Sequence, residues 1–165
     1  MRVAPARGID PSRLLGTWKI VCSSYAFWRP MLGHVRTDAE VAYVRLDDAR
    51  WSDVLRYRAP PWLRPRGARR ERKIVGVDTL GAPGCFSWRG AGALAVVRNA
   101  WTVVAFDPGY AWIVTYVAPS LLGDAAIDLY ARAPGLDAEA ILSSACTTDV
   151  LRHAAIGMRT LPRAA

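Results

Sequence analysis

Apolar and polar residues alternate over short stretches through most of the chain, and glycine, proline or aspartate interrupts each stretch. The runs are 16–24 (GTWKIVCSS), 40–46 (EVAYVRL), 51–58 (WSDVLRYR), 73–80 (KIVGVDTL), 85–97 (CFSWRG with GALAVV), 101–107 (WTVVAFD), 110–118 (YAWIVTYVA) and 125–132 (AAIDLYAR). Each reads as a strand, the fifth kinked where Gly90 and Gly92 permit a bulge. No helical period lies between them, which disfavours parallel βαβ units, and no glycine-rich phosphate loop follows a strand. Strands this short and this closely connected predict an antiparallel meander, closed as a barrel or stacked as a sandwich. The period lengthens only near the C-terminus. There 137–151 predicts one helix, with Asp137 as N-cap and Ile141, Leu142, Ala145, Cys146 and Asp149 along one side. A short last strand is expected over 156–161. The fold class is all-β with a C-terminal α-helix, in one domain over 1–165, large enough for a single core.

Composition narrows the function classes. The chain has 165 residues, 52% hydrophobic and 22% charged, and no run of about 18 apolar residues that would span a membrane. Residues 1–11 hold Arg2 and Arg7 but no apolar core of a secretion signal, so the expected compartment is the cytoplasm. Cys22, Cys85 and Cys146 are scattered, which predicts reduced thiols. With His34 and His153 as the two histidines, no zinc-type spacing arises, and neither a metal nor a cofactor is expected. A heme reading would need one of these two imidazoles, and neither falls on a predicted inner strand. A Gly-x-Ser-x-Gly elbow is also missing.

The net charge of +8 is not spread along the chain: residues 56–73 carry eight cations and Glu71, hence +7, which leaves +1 for the remainder. A nucleic-acid footprint covers a face, and here the field is confined to one connection, so nucleic acid is disfavoured as a partner.

The order of elements, with three short signatures, resembles the lipocalins of the calycin group. Gly16-Thr17-Trp18 matches the Gly-x-Trp of the family's first strand. Asp107, in Phe106-Asp107-Pro108, stands where the family carries Thr-Asp-Tyr between its sixth and seventh strands. Arg132 corresponds to the arginine that ends the eighth strand, and the resemblance covers roughly 14–161. It implies an eight-stranded up-and-down barrel enclosing a small ligand, with Gly16, Trp18, Asp107 and Arg132 as structural residues. Trp18 would plug the floor, with Arg132 stacked on it.

Alternation then assigns faces. With Trp18 inward, Ile20, Cys22 and Ser24 follow it; with Arg132 as the anchor, Tyr130, Asp128 and Ala126 do the same. Trp101, Val103 and Ala105 share the parity of Asp107, and Trp112, Val114 and Tyr116 are assigned inward on the seventh strand. The expected ligand-binding set is Cys22, Phe27, Trp28, Phe86, Trp88, Trp101, Val103, Trp112 and Tyr116. Phe27, Trp28, Met31 and Leu32 form an apolar lid in the first long loop. Asp128 and Tyr130 are the candidate catalytic pair, because a carboxyl inside an apolar barrel has a raised pKa suited to proton transfer. The Arg-rich connection falls at the mouth, where Arg64 and Arg66 would face an anionic ligand head or an acidic carrier protein. The expected function is an intracellular barrel that encloses a hydrophobic small molecule. The alternative is a cofactor-independent cyclase or isomerase of a polyene, terpenoid or polyketide-like substrate, with Asp128 and Tyr130 as a proton relay.

Overall fold

The computed structural model describes residues 3–30, 35–59, 71–121 and 123–163. Strands β1 (Gly16–Ser23), β2 (Thr37–Arg45), β3 (Arg50–Arg58), β4 (Glu71–Leu80), β5 (Cys85–Gly90), β6 (Arg98–Phe106), β7 (Trp112–Val117) and β8 (Ala126–Ala131) each pair antiparallel with the next. β1 pairs with both β8 and β2, so the sheet closes on itself. Closure removes the free edges that an open meander would expose. The turns follow from local chemistry. Between β2 and β3, the Asp47 carboxylate accepts from the Ala49 and Arg50 amides at 3.0 and 2.8 Å. A 3-10 turn over Gly92–Leu94, not strand, joins β5 to β6. The sequence reading ran strand through 97 and began the next strand at Trp101; β6 instead begins at Arg98.

The predicted single helix is two: α1 (Ala138–Ala145) and α2 (Asp149–Ala154). Asp137 caps α1, its side chain accepting from the Ala140 amide at 3.0 Å. Thr148 caps α2 by accepting from the Leu151 amide. That second cap ends the first helix and starts another, which the apolar stripe alone does not reveal. The expected last strand shortens to β9 (Arg159–Thr160), which pairs with β1 at Cys22 and Ser23.

Two apolar clusters result. One fills the lower barrel, from Trp18, Tyr43, Trp51 and Phe86 to Trp101, Val103, Ile113 and Tyr130. The other lies outside the barrel wall, between β7, β8, β1 and the helices, and holds Val114, Tyr116, Ile127, Leu129, Ala145, Cys146 and Leu151. All six residues of β8 are buried, because both of its faces are covered. Among the described residues, no helix is long and apolar enough to cross a membrane.

Candidate functional site: an apolar cavity with buried carboxyls

The upper barrel encloses a cavity of about 650 Å3. That volume falls within the roughly 300–1,000 Å3 usual for small-molecule sites. Its walls include Ile20, Leu55, Ile74, Trp88 and Val117, and Tyr43 and Trp101 form its lower boundary. These two rings stack at 5.5 Å between centroids, and Phe86 lies under Trp101 at 4.1 Å. A 3-10 turn over Ala26–Trp28 leans on the mouth. There Phe27, Trp28 and Tyr57 meet edge to face, with centroids 4.9–5.9 Å apart. The Arg36 guanidinium sits 4.2 Å over the Phe27 ring and donates to the Phe27 carbonyl. Arg36 and Arg29 bring positive charge to the opening.

Polar groups inside this apolar space carry the chemistry. Asp128 is buried on β8 and lines the cavity. It accepts from the Ser23 hydroxyl and, at 3.4 Å, from the Tyr130 hydroxyl. Burial pushes its carboxyl up to about 6, against the lowering effect of those two donors. Burial holds the Tyr130 and Tyr43 phenols well above their usual range. On the β3 side, Asp53 also lines the cavity. Desolvation lifts it to about 7, and the neighbouring Trp88 indole opposes the rise. Behind it, Asp78 is wholly buried, accepts from Trp101 Nε1 at 2.8 Å, and leaves its second oxygen without a partner. Desolvation first and the neighbouring Asp53 second push Asp78 well above the carboxylate range.

Gly76 makes room for part of this arrangement. It lies opposite Asp53 on β3 and Gly90 on β5. A Cβ there would fall 2.2 Å from Trp88 Nε1. Gly76→Ala is therefore expected to push the indole off Asp53 and to cost about 1–3 kcal/mol. Denaturant unfolding followed by tryptophan fluorescence checks this; an unchanged midpoint and spectrum would show that the ring is not seated there.

Several residues assigned inward by parity lie elsewhere. A register shift in β1 between Ile20 and Cys22 reverses the alternation. Ser23 then faces Asp128 inside, and Cys22 joins the outer cluster. Burial raises the Cys22 thiol, which leaves it unreactive. Trp112, Val114 and Tyr116 also belong to the outer cluster, while Ile113 and Val117 point inward. The reason is that the helices cover β7, so both of its faces are apolar. A second shift, between Val103 and Ala105, takes Ala105 out of the inner set. Phe86 and Val103 are inside but lie below the cavity, among the core residues that support it. Phe27, Trp28, Trp88 and Trp101 line it. His153 is exposed on α2. Met31, Leu32, His34, Arg64 and Arg66 lie outside the described residues. Other members of the basic segment are paired on the strand surface, Arg56 with Glu40 at 3.6 Å and Arg58 with Asp38 at 3.1 Å.

Asp53, Asp78 and Tyr43 were not singled out from the sequence. The signal was present: Trp51, Asp53, Leu55 and Tyr57 share one parity, and so do Ile74, Gly76 and Asp78.

No protein-family model and no curated protein sequence matches the chain. Solved structures do. The siderocalin Ex-FABP, a protein with dual ligand specificities, superposes with a TM-score of 0.64 at 13% identity, over 92% of this chain and 95% of that one. Lobster apocrustacyanin A1 matches with a TM-score of 0.56 at 11% identity, over 94% of this chain and 81% of its own. Apocrustacyanin C1 gives 0.57 at 13% identity, over 94% and 82%. The barrel has the lipocalin fold.

The lipocalin signatures come together at the floor. Trp18 is wholly buried and donates from Nε1 to the Leu14 carbonyl at 2.7 Å. The Arg132 guanidinium lies 3.9 Å over the Trp18 ring and bonds the Leu15 carbonyl. Gly16, at φ +103°, passes beside that guanidinium, and a Cβ there would sit 3.6 Å from it. Asp107 accepts from the Ala111 amide at 3.1 Å and so shapes the turn that presents Tyr110. The Tyr110 hydroxyl accepts from the Asp10 amide at 2.6 Å, which ties the N-terminal segment beneath the lipocalin floor.

Proposed function

We propose that this lipocalin-fold protein binds a hydrophobic small molecule in the barrel. The observation that carries the reading is the cavity of about 650 Å3, closed below by the Tyr43–Trp101 stack and opening between aromatic side chains at the mouth. An apolar molecule entering it exchanges water for aliphatic and aromatic surface, worth roughly 25 cal/mol per Å2 buried. An anionic group on the ligand, or an acidic carrier protein delivering it, would meet Arg29 and Arg36 at the opening. The three cysteines are free, which accords with an intracellular setting. Native mass spectrometry of protein purified from its own host tests the reading. The expected result is a one-to-one complex with an apolar molecule of a few hundred daltons; protein that comes empty and takes up no apolar compound in vitro would end it.

A second reading, cyclisation or isomerisation of such a molecule, is favoured by the Ser23–Asp128–Tyr130 network. It sets a carboxyl poised near neutrality against an apolar space. In that case the cavity walls hold a flexible substrate near its reactive shape. Asp128 gives or takes the proton and Tyr130 polarises it. Asp128→Asn is then expected to lower turnover about 100-fold or more while affinity stays within a few-fold. Equal loss of both would reduce Asp128 to a binding group.

A further inference from the structure

The carboxyls inside the cavity restrict what the ligand can be. Asp53 on β3 and Asp128 on β8 both line it. Aromatic side chains border the same space: Tyr43, Trp88 and Trp101. The basic side chains that reach the cavity, among the described residues, are Arg29 and Arg36, and both come from the mouth. Among the described residues, the inner part thus combines carboxyls with aromatic rings and holds no cation of its own. An ionised carboxylate in such a space is costly without a counter-charge. A cationic nitrogen removes that cost through charge-assisted hydrogen bonds, and aromatic faces attract it through their quadrupoles.

We propose that the barrel's ligand is an apolar amine: its cationic nitrogen is held by Asp53 and Asp128 among Tyr43, Trp88 and Trp101, and its hydrocarbon part extends past Leu55 and Val117 to the mouth. This rests on the small-molecule-binding reading above and adds the chemical class. An anionic head placed inward would meet both carboxyls. A neutral alcohol would leave their charge uncompensated.

Binding of such an amine should strengthen as pH rises from 5 to 8, as the carboxyls ionise. The other titratable or charged groups facing them are Tyr43 on β2, Asp78 on β4, Tyr130 on β8, and Tyr25, Arg29 and Arg36 at the mouth. Of these the phenols keep their protons through that range, and burial raises Asp78 as well. The arginines keep their charge.

Three probes of equal chain length test the proposal: dodecylamine, 1-dodecanol and dodecanoate, each titrated below its aggregation threshold at pH 7.5. Dodecylamine is expected to bind tightest, by about tenfold over both 1-dodecanol and dodecanoate. The protein's net charge of +8 favours dodecanoate, so a preference for the amine has to arise inside the cavity. In the double variant Asp53→Asn, Asp128→Asn the amine preference should vanish while 1-dodecanol still binds, which shows that the barrel has kept its shape. Dodecanol or dodecanoate binding as tightly as the amine would overturn the proposal and leave the cavity reading standing. Failure of all three probes to bind would overturn both.

Discussion

Trp18→Ala is expected to lower stability by about 3–5 kcal/mol, enough to unfold much of the protein at physiological temperature. Trp18 has no exposed surface, and its loss opens a void at the barrel floor. Three further consequences follow. The Leu14 carbonyl loses its indole donor, the Arg132 guanidinium loses the ring beneath it, and the N-terminal 3-10 turn over Pro11–Leu14 loses its anchor. Arg132→Ala removes only the lid of this stack and should cost less, about 1–2 kcal/mol. Urea unfolding of the two variants measures both. A Trp18→Ala cost below about 1 kcal/mol would mean that the floor is not packed as described.

The second large effect depends on pH. Asp53 titrates near 7 in the folded protein, against an ordinary value of 3.8. The folded state therefore binds the proton more tightly than the unfolded state does. The stability this supplies is fully present below 3.8 and is lost as pH rises through 7. Above that the folded protein carries a strained, ionised carboxylate. Asp53→Asn keeps the size and removes the charge. At pH 8 the variant is expected to be about 2–4 kcal/mol more stable than the parent, relative to the comparison at pH 4. Asp78 strengthens the effect, because its own elevation includes the charge of Asp53. Parallel stability-versus-pH curves for the two proteins would rule out a desolvated Asp53.

How much of this was legible in the sequence varies with how many faces of a strand are covered. β2, β3, β4 and β6 carry one inner and one outer face, so period-two patterning located them to within a few residues, whereas the expected fifth strand ran seven residues past the end of β5. Trp101 points inward, as its shared parity with Asp107 predicts. β7 and β8 lie under the helices, so their runs WIVTYV and AIDLYA bury apolar residues on the outer side as well as the inner one. Parity then has nothing to distinguish, which is why Trp112 and Tyr116 were assigned to the wrong face. The bulge after Ile20 is a backbone event without a glycine or proline to mark it, and it took Cys22 outward and Ser23 inward. Asp128 was readable because Arg132 supplied an anchor four residues away. Asp53 and Asp78 had anchors too, in Trp51 and in the cross-strand register that joins Trp51 to Asp78, but register appears only once the strands are paired.

The central claim is that the barrel holds an apolar molecule in this cavity, and filling the cavity from within tests it most directly. Leu55 lines the wall on β3, half-buried and facing the open space. Leu55→Trp should occupy that space without breaking a hydrogen bond. Titrating parent and variant with dodecylamine by isothermal calorimetry, the parent should bind one molecule and the variant should bind at least about tenfold more weakly, at unchanged thermal stability. Equal binding by a folded Leu55→Trp protein would place the ligand outside the barrel and contradict the account.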